Sequence, residues 1–200
     1  MKNPSITALT FTEQHYAALG KVIVAFQSLE STITFGLLTL LQPEKLLFDS
    51  KLAIAIVNEH SFSNRLKLLL LFPSLTEVLK LFPGDDGLTK VHLDSYEEAV
   101  SLLNEGGVLA AEAESKRNQL IHSTWIHGSS VGGPEGTVLR MKSRVRKNKI
   151  HSSHEYIAAK EIEAVADAML TAQSKLHHAV QNLHFLMLAA LTPQDVEKTT

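Results

Sequence analysis

The sequence predicts an all-α fold, an antiparallel bundle of about four to five long helices with a small β-hairpin inserted at about residues 137–157, before the last helix. Three observations support this prediction. Long segments carry apolar residues at the spacing of an amphipathic helix, one segment alternates apolar and basic residues as a strand does, and proline and glycine clusters separate the segments. The length fits a single domain over residues 1–200, with a flexible tail at about 192–200.

The N-terminal half of the chain predicts two helices with an apolar run between them. The first runs from Thr12 to Leu41, because apolar residues recur along one helical face. A second apolar run covers residues 47–57 and is followed by a break. Either Ser61 or Ser63 can cap the next helix, because a serine hydroxyl accepts a hydrogen bond from a first-turn N–H. We expect Pro73 to kink or interrupt that helix.

The fourth helix is predicted to start at Asp94 or Ser95, since acidic residues follow at the positive end of the helix dipole. It should continue to about Trp125. Gly106 and Gly107 lie inside it, and each weakens a helix by roughly 1 kcal/mol relative to alanine. The sequence therefore leaves open a continuous helix, a kink, or a break into two helices at these glycines.

The hairpin and the last helix follow. From about residue 139 the chain alternates apolar and basic residues, so one face of the predicted strand is basic. Residues 147–149 can turn the chain and residues 150–156 can return as the second strand. The last helix is predicted over residues 159–190. The basic face carries Arg140, Lys142, Arg144 and Arg146.

Composition limits the possible functions. The chain has no cysteine, which removes disulfides, thiolate catalysis and cysteine-based zinc sites. A net charge of -2 argues against a general nucleic-acid coat, so any contact with nucleic acid should be local. No signal peptide or spanning run of apolar residues is apparent. We therefore predict a cytoplasmic protein without membrane contact, cofactor or metal, the scattered histidines lacking nearby acidic partners.

The most informative segment is residues 117–122, RNQLIH, near the end of the fourth helix. Histidine can act as a base or an acid near neutral pH, and arginine offers a permanent planar cation to phosphate oxygens. On a helix, Arg117 and His122 are about 140° apart, whereas Asn118 and His122 share a face. The pair therefore needs either a second subunit or a break in the helix to act together.

These residues also permit a simpler interpretation. A helical arginine and histidine at this spacing are commonly a surface charge and a packed side chain. The basic strand face can follow a phosphate backbone, or it can protect an edge strand from aggregation. The spacing alone leaves these alternatives open.

The segment KRNQLIHSTW, residues 116–125, resembles the Arg-x4-6-His motif of the HEPN superfamily (higher eukaryotes and prokaryotes nucleotide-binding domains). The resemblance extends in outline over residues 15–190. It implies a helical, often dimeric domain that in many members is a metal-independent endoribonuclease of toxin–antitoxin or other defence systems. Arg117, Asn118 and His122 match the motif, and Glu30 resembles an acidic position that orients the arginine.

Two hypotheses follow from this resemblance. The first is a homodimeric ribonuclease with Arg117 and His122 at its two-fold site, with RNA as substrate and a cognate antitoxin as a further partner. The second is a non-catalytic scaffold protein that binds a nucleotide or a partner, since several HEPN groups are not known to cleave RNA.

Overall fold

The structure, a computed structural model, describes residues 12–41, 51–76, 90–127, 132–146 and 149–191. The predicted tail at 192–200 lies outside these residues. The described chain is mostly helical and includes a three-stranded antiparallel sheet in the order β1-β2-β3. Along the chain the elements are α1 (Glu13–Leu41), α2 (Lys51–Asn58), α3 (Phe62–Thr76), α4 (Lys90–Ile121), β1 (Thr124–His127), β2 (Thr137–Arg146), β3 (Lys149–Ala158) and α5 (Ala159–Leu191).

The prediction that the β-structure is only a hairpin was wrong. β2 and β3 form the predicted hairpin, but β1 adds a third strand, with Trp125 opposite Arg140 on β2. Trp125 had been assigned to the fourth helix, which instead ends at Ile121. Two side chains cap the C-terminal end of α4. Ser123 Oγ donates to the carbonyl of Gln119, and Trp125 Nε1 donates to that of Leu120 at 3.1 Å, so last-turn carbonyls keep partners after the helix stops.

The boundaries of α3 and α4 agree with the prediction at one end and differ at the other positions. Ser61 is the cap of α3, because the N–H of Asn64 donates to its Oγ at 3.4 Å. α3 continues through Pro73 to Thr76, so the proline does not interrupt it there. α4 already begins at Lys90, earlier than its acidic residues predicted.

The chain folds as two compact units. The first, which we call the sheet unit, comprises Met1–Gln27 and Glu112–Met169, and the second, the helical unit, comprises Ser28–Ala111 and Leu170–Thr200. The single domain predicted over residues 1–200 stays a prediction. Buried apolar side chains of the sheet unit include Val22, Phe26, Leu120, Val138, Ile157 and Ile162, and those of the helical unit include Leu29, Ile33, Leu69, Leu103, Leu176 and Leu183.

Close helix packing explains why α4 does not break at its paired glycines. A Cβ on Gly106 would lie 2.9 Å from Cγ of Leu176 on α5, and one on Gly107 would lie 2.6 Å from a methyl of Leu70 on α3. Both glycines are buried. Tertiary contacts that only glycine permits therefore offset its poor helix propensity, and α4 is one helix from Lys90 to Ile121.

By length and composition alone, α1 is apolar enough to cross a membrane, with a mean hydropathy of 1.4 over its most apolar window of 18 residues. The sequence was expected to contain no spanning segment because serine and threonine interrupt its apolar runs. A mean over 18 residues tolerates such interruptions, so α1 passes the hydropathy test. Of this window, 44% is buried inside the protein. A core helix passes the same test, so the finding is weak support for a membrane span.

Candidate active site at the end of α4

Arg117 lies on the last turns of α4, half-buried in the sheet unit. Its guanidinium carbon is 4.7 Å from the centroid of the Phe26 ring on α1, which is within the range of a cation–π interaction. Its Nη1 donates a hydrogen bond of 3.0 Å to Oδ1 of Asn118. Phe26 is itself buried, so the guanidinium is held against a fixed surface.

His122 follows directly after α4, in the turn that leads to β1. Its backbone N–H donates to the carbonyl of Asn118 at 3.3 Å, and its side chain is exposed. Asn118 therefore contacts both predicted catalytic residues, with its side chain on Arg117 and its carbonyl on the backbone of His122. α4 ends at Ile121, so His122 is the first residue after the helix, and its N–H still closes the last i→i−4 hydrogen bond.

Arg117 differs from two other arginines because its charge has no counter-ion in the described residues. In the described residues, the side chains of Arg65, Arg117 and Arg140 each have a buried Nε without a hydrogen-bond partner. Arg65 is paired with Glu30, and Arg140 with Glu155. Arg117 forms no ion pair within the described part of the chain, and Asn118 is its single hydrogen-bond partner there. Within these residues its positive charge therefore has no counter-ion.

Glu30, the predicted orienting acid, pairs with Arg65 of α3 in the helical unit. The same arginine donates to Oγ1 of Thr34 at 2.6 Å. The sequence analysis missed this pair, because Glu30 and Arg65 are 35 residues apart and no local pattern links them. The predicted role of Glu30 in orienting Arg117 stays a prediction.

The predicted basic face of β2 is only partly described. Arg140 is largely buried and paired with Glu155, directly opposite on β3, and it donates to Oε1 of Gln119 at 3.4 Å. Lys142 is half-buried, and the side chains of Arg144 and Arg146 lie outside the described part of the structure. Glu155 neutralises Arg140, which makes Arg140 a weaker phosphate ligand than the sequence suggested. Strand register brings the two together, and the sequence analysis had not used it.

No group of three or more histidine, aspartate or glutamate side chains in the described residues is placed to hold a metal ion. Comparison of the chain with protein-family models, with curated proteins and with solved structures finds no match in any of the three.

Proposed function

We propose that this protein is a metal-independent endoribonuclease of the HEPN type, acting as a homodimer with Arg117 and His122 at the two-fold site. One observation carries the proposal. Arg117 is fixed by Phe26 and Asn118 but has no carboxylate partner in the described residues, and it lies five positions from an exposed histidine. A fixed, uncompensated cation and an exposed histidine near the same helix end suit a phosphodiester substrate.

The chemistry uses the nucleophile that RNA itself carries. His122 removes the proton from a 2′-hydroxyl, the 2′-oxygen forms a bond to the adjacent phosphorus, and the bond from phosphorus to the 5′-oxygen breaks. Arg117 stabilises the added negative charge on the phosphate oxygens. The products are a 2′,3′-cyclic phosphate and a 5′-hydroxyl.

The leaving 5′-oxygen needs a proton, and one histidine cannot be base and acid in the same step. A two-fold contact would place the same patch opposite itself, so a second His122 would supply the acid.

The proposal includes the finer features predicted from the sequence, namely an antiparallel helical bundle, a cytoplasmic location, a cognate antitoxin and a role in defence. The exposed position of His122 supports access by RNA.

The test is incubation of purified protein with RNA in EDTA, with analysis of the product ends. His122→Ala should reduce cleavage by about 10²- to 10⁴-fold, the usual size of a general acid–base contribution, and Arg117→Ala by about 10²- to 10³-fold, the usual cost of losing one group that stabilises transition-state charge. His177→Ala is the matched control, because His177 is also an exposed histidine, on α5. Circular dichroism verifies that each variant is folded. Cleavage that persists in His122→Ala would refute the proposal.

The alternative is a non-catalytic protein that holds a nucleotide or RNA phosphate on Arg117. The same uncompensated charge favours it. In that case RNA binds without cleavage, Arg117→Ala weakens binding, and His122→Ala leaves binding unchanged. A filter-binding assay on the same variants separates the two functions.

A further inference from the structure

A cleft of about 250 Å³ opens within the sheet unit. Lys116, Gln119 and Leu120 line it from one face of α4, Arg140 and Glu155 line it from the sheet, and the start of α5 closes it. Arg117 and His122 are not among its lining residues. The cleft is therefore separate from the proposed catalytic pair, and its ligand does not depend on cleavage of RNA.

The Arg140–Glu155 pair is the most specific feature of this cleft. The Arg140 side chain is 12% exposed and that of Glu155 is 55% exposed, so the pair presents a largely buried donor beside an accessible carboxylate. The Nε of Arg140 is buried and has no hydrogen-bond partner within the described residues. The guanidinium also reaches Gln119, but at a long 3.4 Å. The cleft wall thus offers N–H donors and carboxylate acceptors side by side.

The charges of the cleft exclude a simple anion as its ligand. Lys116 and Arg140 are balanced by Glu155 and Glu161, so the lining has no net formal charge. A free phosphate or carboxylate would meet repulsion from two acids as well as attraction from two bases. The ligand should instead be a neutral group that both donates and accepts hydrogen bonds.

The volume of the cleft and its apolar surface further restrict the class of ligand. Leu120, Ile157 and Val165 give the cleft an apolar surface. Its volume of about 250 Å³ is below the ~300–1,000 Å³ of pockets for drug-sized ligands. A flat heteroaromatic ring of the size of one nucleobase fits both the volume and the apolar surface.

We propose that this cleft binds a guanine base, either in a free nucleotide or in single-stranded RNA. The Watson–Crick edge of guanine places the O6 acceptor beside the N1–H and N2–H donors, and proteins read this edge on unstacked bases. The two parallel N–H groups match the carboxylate of Glu155, and O6 matches the N–H groups of Arg140. Adenine, cytosine and uracil lack this pair of parallel donors.

The test is a calorimetric titration of the protein with GMP, AMP, CMP and UMP, and of the His122→Ala variant with RNA oligonucleotides that contain or lack guanosine. GMP or the guanosine-containing oligonucleotide should bind at least about 10-fold more tightly than its counterparts. Tight binding of GMP alone identifies a nucleotide as the source, and binding of the oligonucleotide alone identifies RNA.

Two variants place the binding in the cleft. Glu155→Gln keeps the size of the side chain but removes the carboxylate, and it should reduce guanine binding at least 10-fold. Ala164→Phe narrows the cleft at an exposed lining position and leaves both residues of the Arg140–Glu155 pair unchanged, and it should have the same effect. Glu105→Gln is the matched control, because Glu105 forms an exposed ion pair with Lys175 in the helical unit. Equal affinity for all four bases, no binding of any guanine ligand, or full binding by both cleft variants would overturn the proposal.

Discussion

Alanine at Gly106 and at Gly20 should change stability in opposite directions. Both glycines lie inside long helices, where replacement by alanine gains about 1 kcal/mol of helix propensity. They differ in surroundings. A Cβ at Gly20 meets nothing within 4 Å, whereas a Cβ at Gly106 would lie 2.9 Å from Cγ and 3.2 Å from the backbone nitrogen of Leu176.

The magnitude follows from these distances. Leu176 is fully buried, so it cannot move aside without disturbing its neighbours, and overpacking of this kind costs about 1–3 kcal/mol. Gly106→Ala should therefore lower the free energy of unfolding by about 1 kcal/mol after its propensity gain. Gly20→Ala should raise the free energy of unfolding by about 0.5–1 kcal/mol.

The assay is urea denaturation of the two variants and the parent protein, followed by circular dichroism at 222 nm, with the slopes compared to verify that the unfolding transition is unchanged. A stabilised Gly106→Ala variant would refute the argument that close packing on Leu176 requires this glycine. A destabilised Gly20→Ala variant would show that the exposed face of α1 is covered by something outside the described chain.

Two further predictions concern ion pairs of the helical unit. Glu30→Gln should lower the free energy of unfolding by about 1–2 kcal/mol, as measured by urea denaturation. The reason is that the Arg65 side chain, which is 13% exposed, would keep its charge without a counter-ion. The hydrogen bond and charge of Lys175 lower the pKa of Glu105 from its usual value of 4.5. The ion pair therefore stabilises the folded protein above pH 4.5, and this stabilisation is lost as the pH falls through the lower pKa of the folded state. The melting temperature of Glu105→Gln should therefore approach that of the parent protein on acidification from pH 7.

The positions of the first and last helices could be predicted from the sequence, because helix formation depends on the local spacing of apolar residues. Both helices have nearly the predicted bounds. The course of the chain after Ile121 was not. Trp125 continues the apolar pattern of α4 in the sequence, but it pairs with Arg140, fifteen residues away, and its indole N–H goes to Leu120. Its place in β1 depends on a non-local partner, which a local pattern does not contain.

The candidate site was predictable in its residue types but not in its charge balance. The motif indicates Arg117, Asn118 and His122, and their spacing predicts that either a second subunit or a break in the helix completes the site. It could not indicate that Glu30 pairs with Arg65 or that Glu155 pairs with Arg140, since both pairs form across elements distant in sequence. These two pairs single out Arg117 as the arginine without a counter-ion among the three whose side chains the structure describes.

That difference leads to a last prediction, which separates a functional from a structural role for Arg117. Arg117→Met keeps an apolar contact with Phe26 but loses the cation–π interaction and the hydrogen bond to Asn118, together about 1–2.5 kcal/mol. It also removes a half-buried charge that has no counter-ion in the described residues, which relieves a desolvation cost of about 1–3 kcal/mol.

These two effects nearly cancel, so the free energy of unfolding of Arg117→Met should remain within about 1 kcal/mol of the parent value while RNA cleavage is lost. Natural proteins keep such locally unfavourable groups at functional sites, where stability is not the property under selection. Arg65→Met is the comparison, because it removes both the ion pair with Glu30 and the hydrogen bond to Thr34 and should lower the free energy of unfolding by about 1–2 kcal/mol. If Arg117→Met instead lost more than about 2 kcal/mol in urea denaturation, the cation would be holding α1 and α4 together within the sheet unit, and the case for a phosphate on Arg117 would fail.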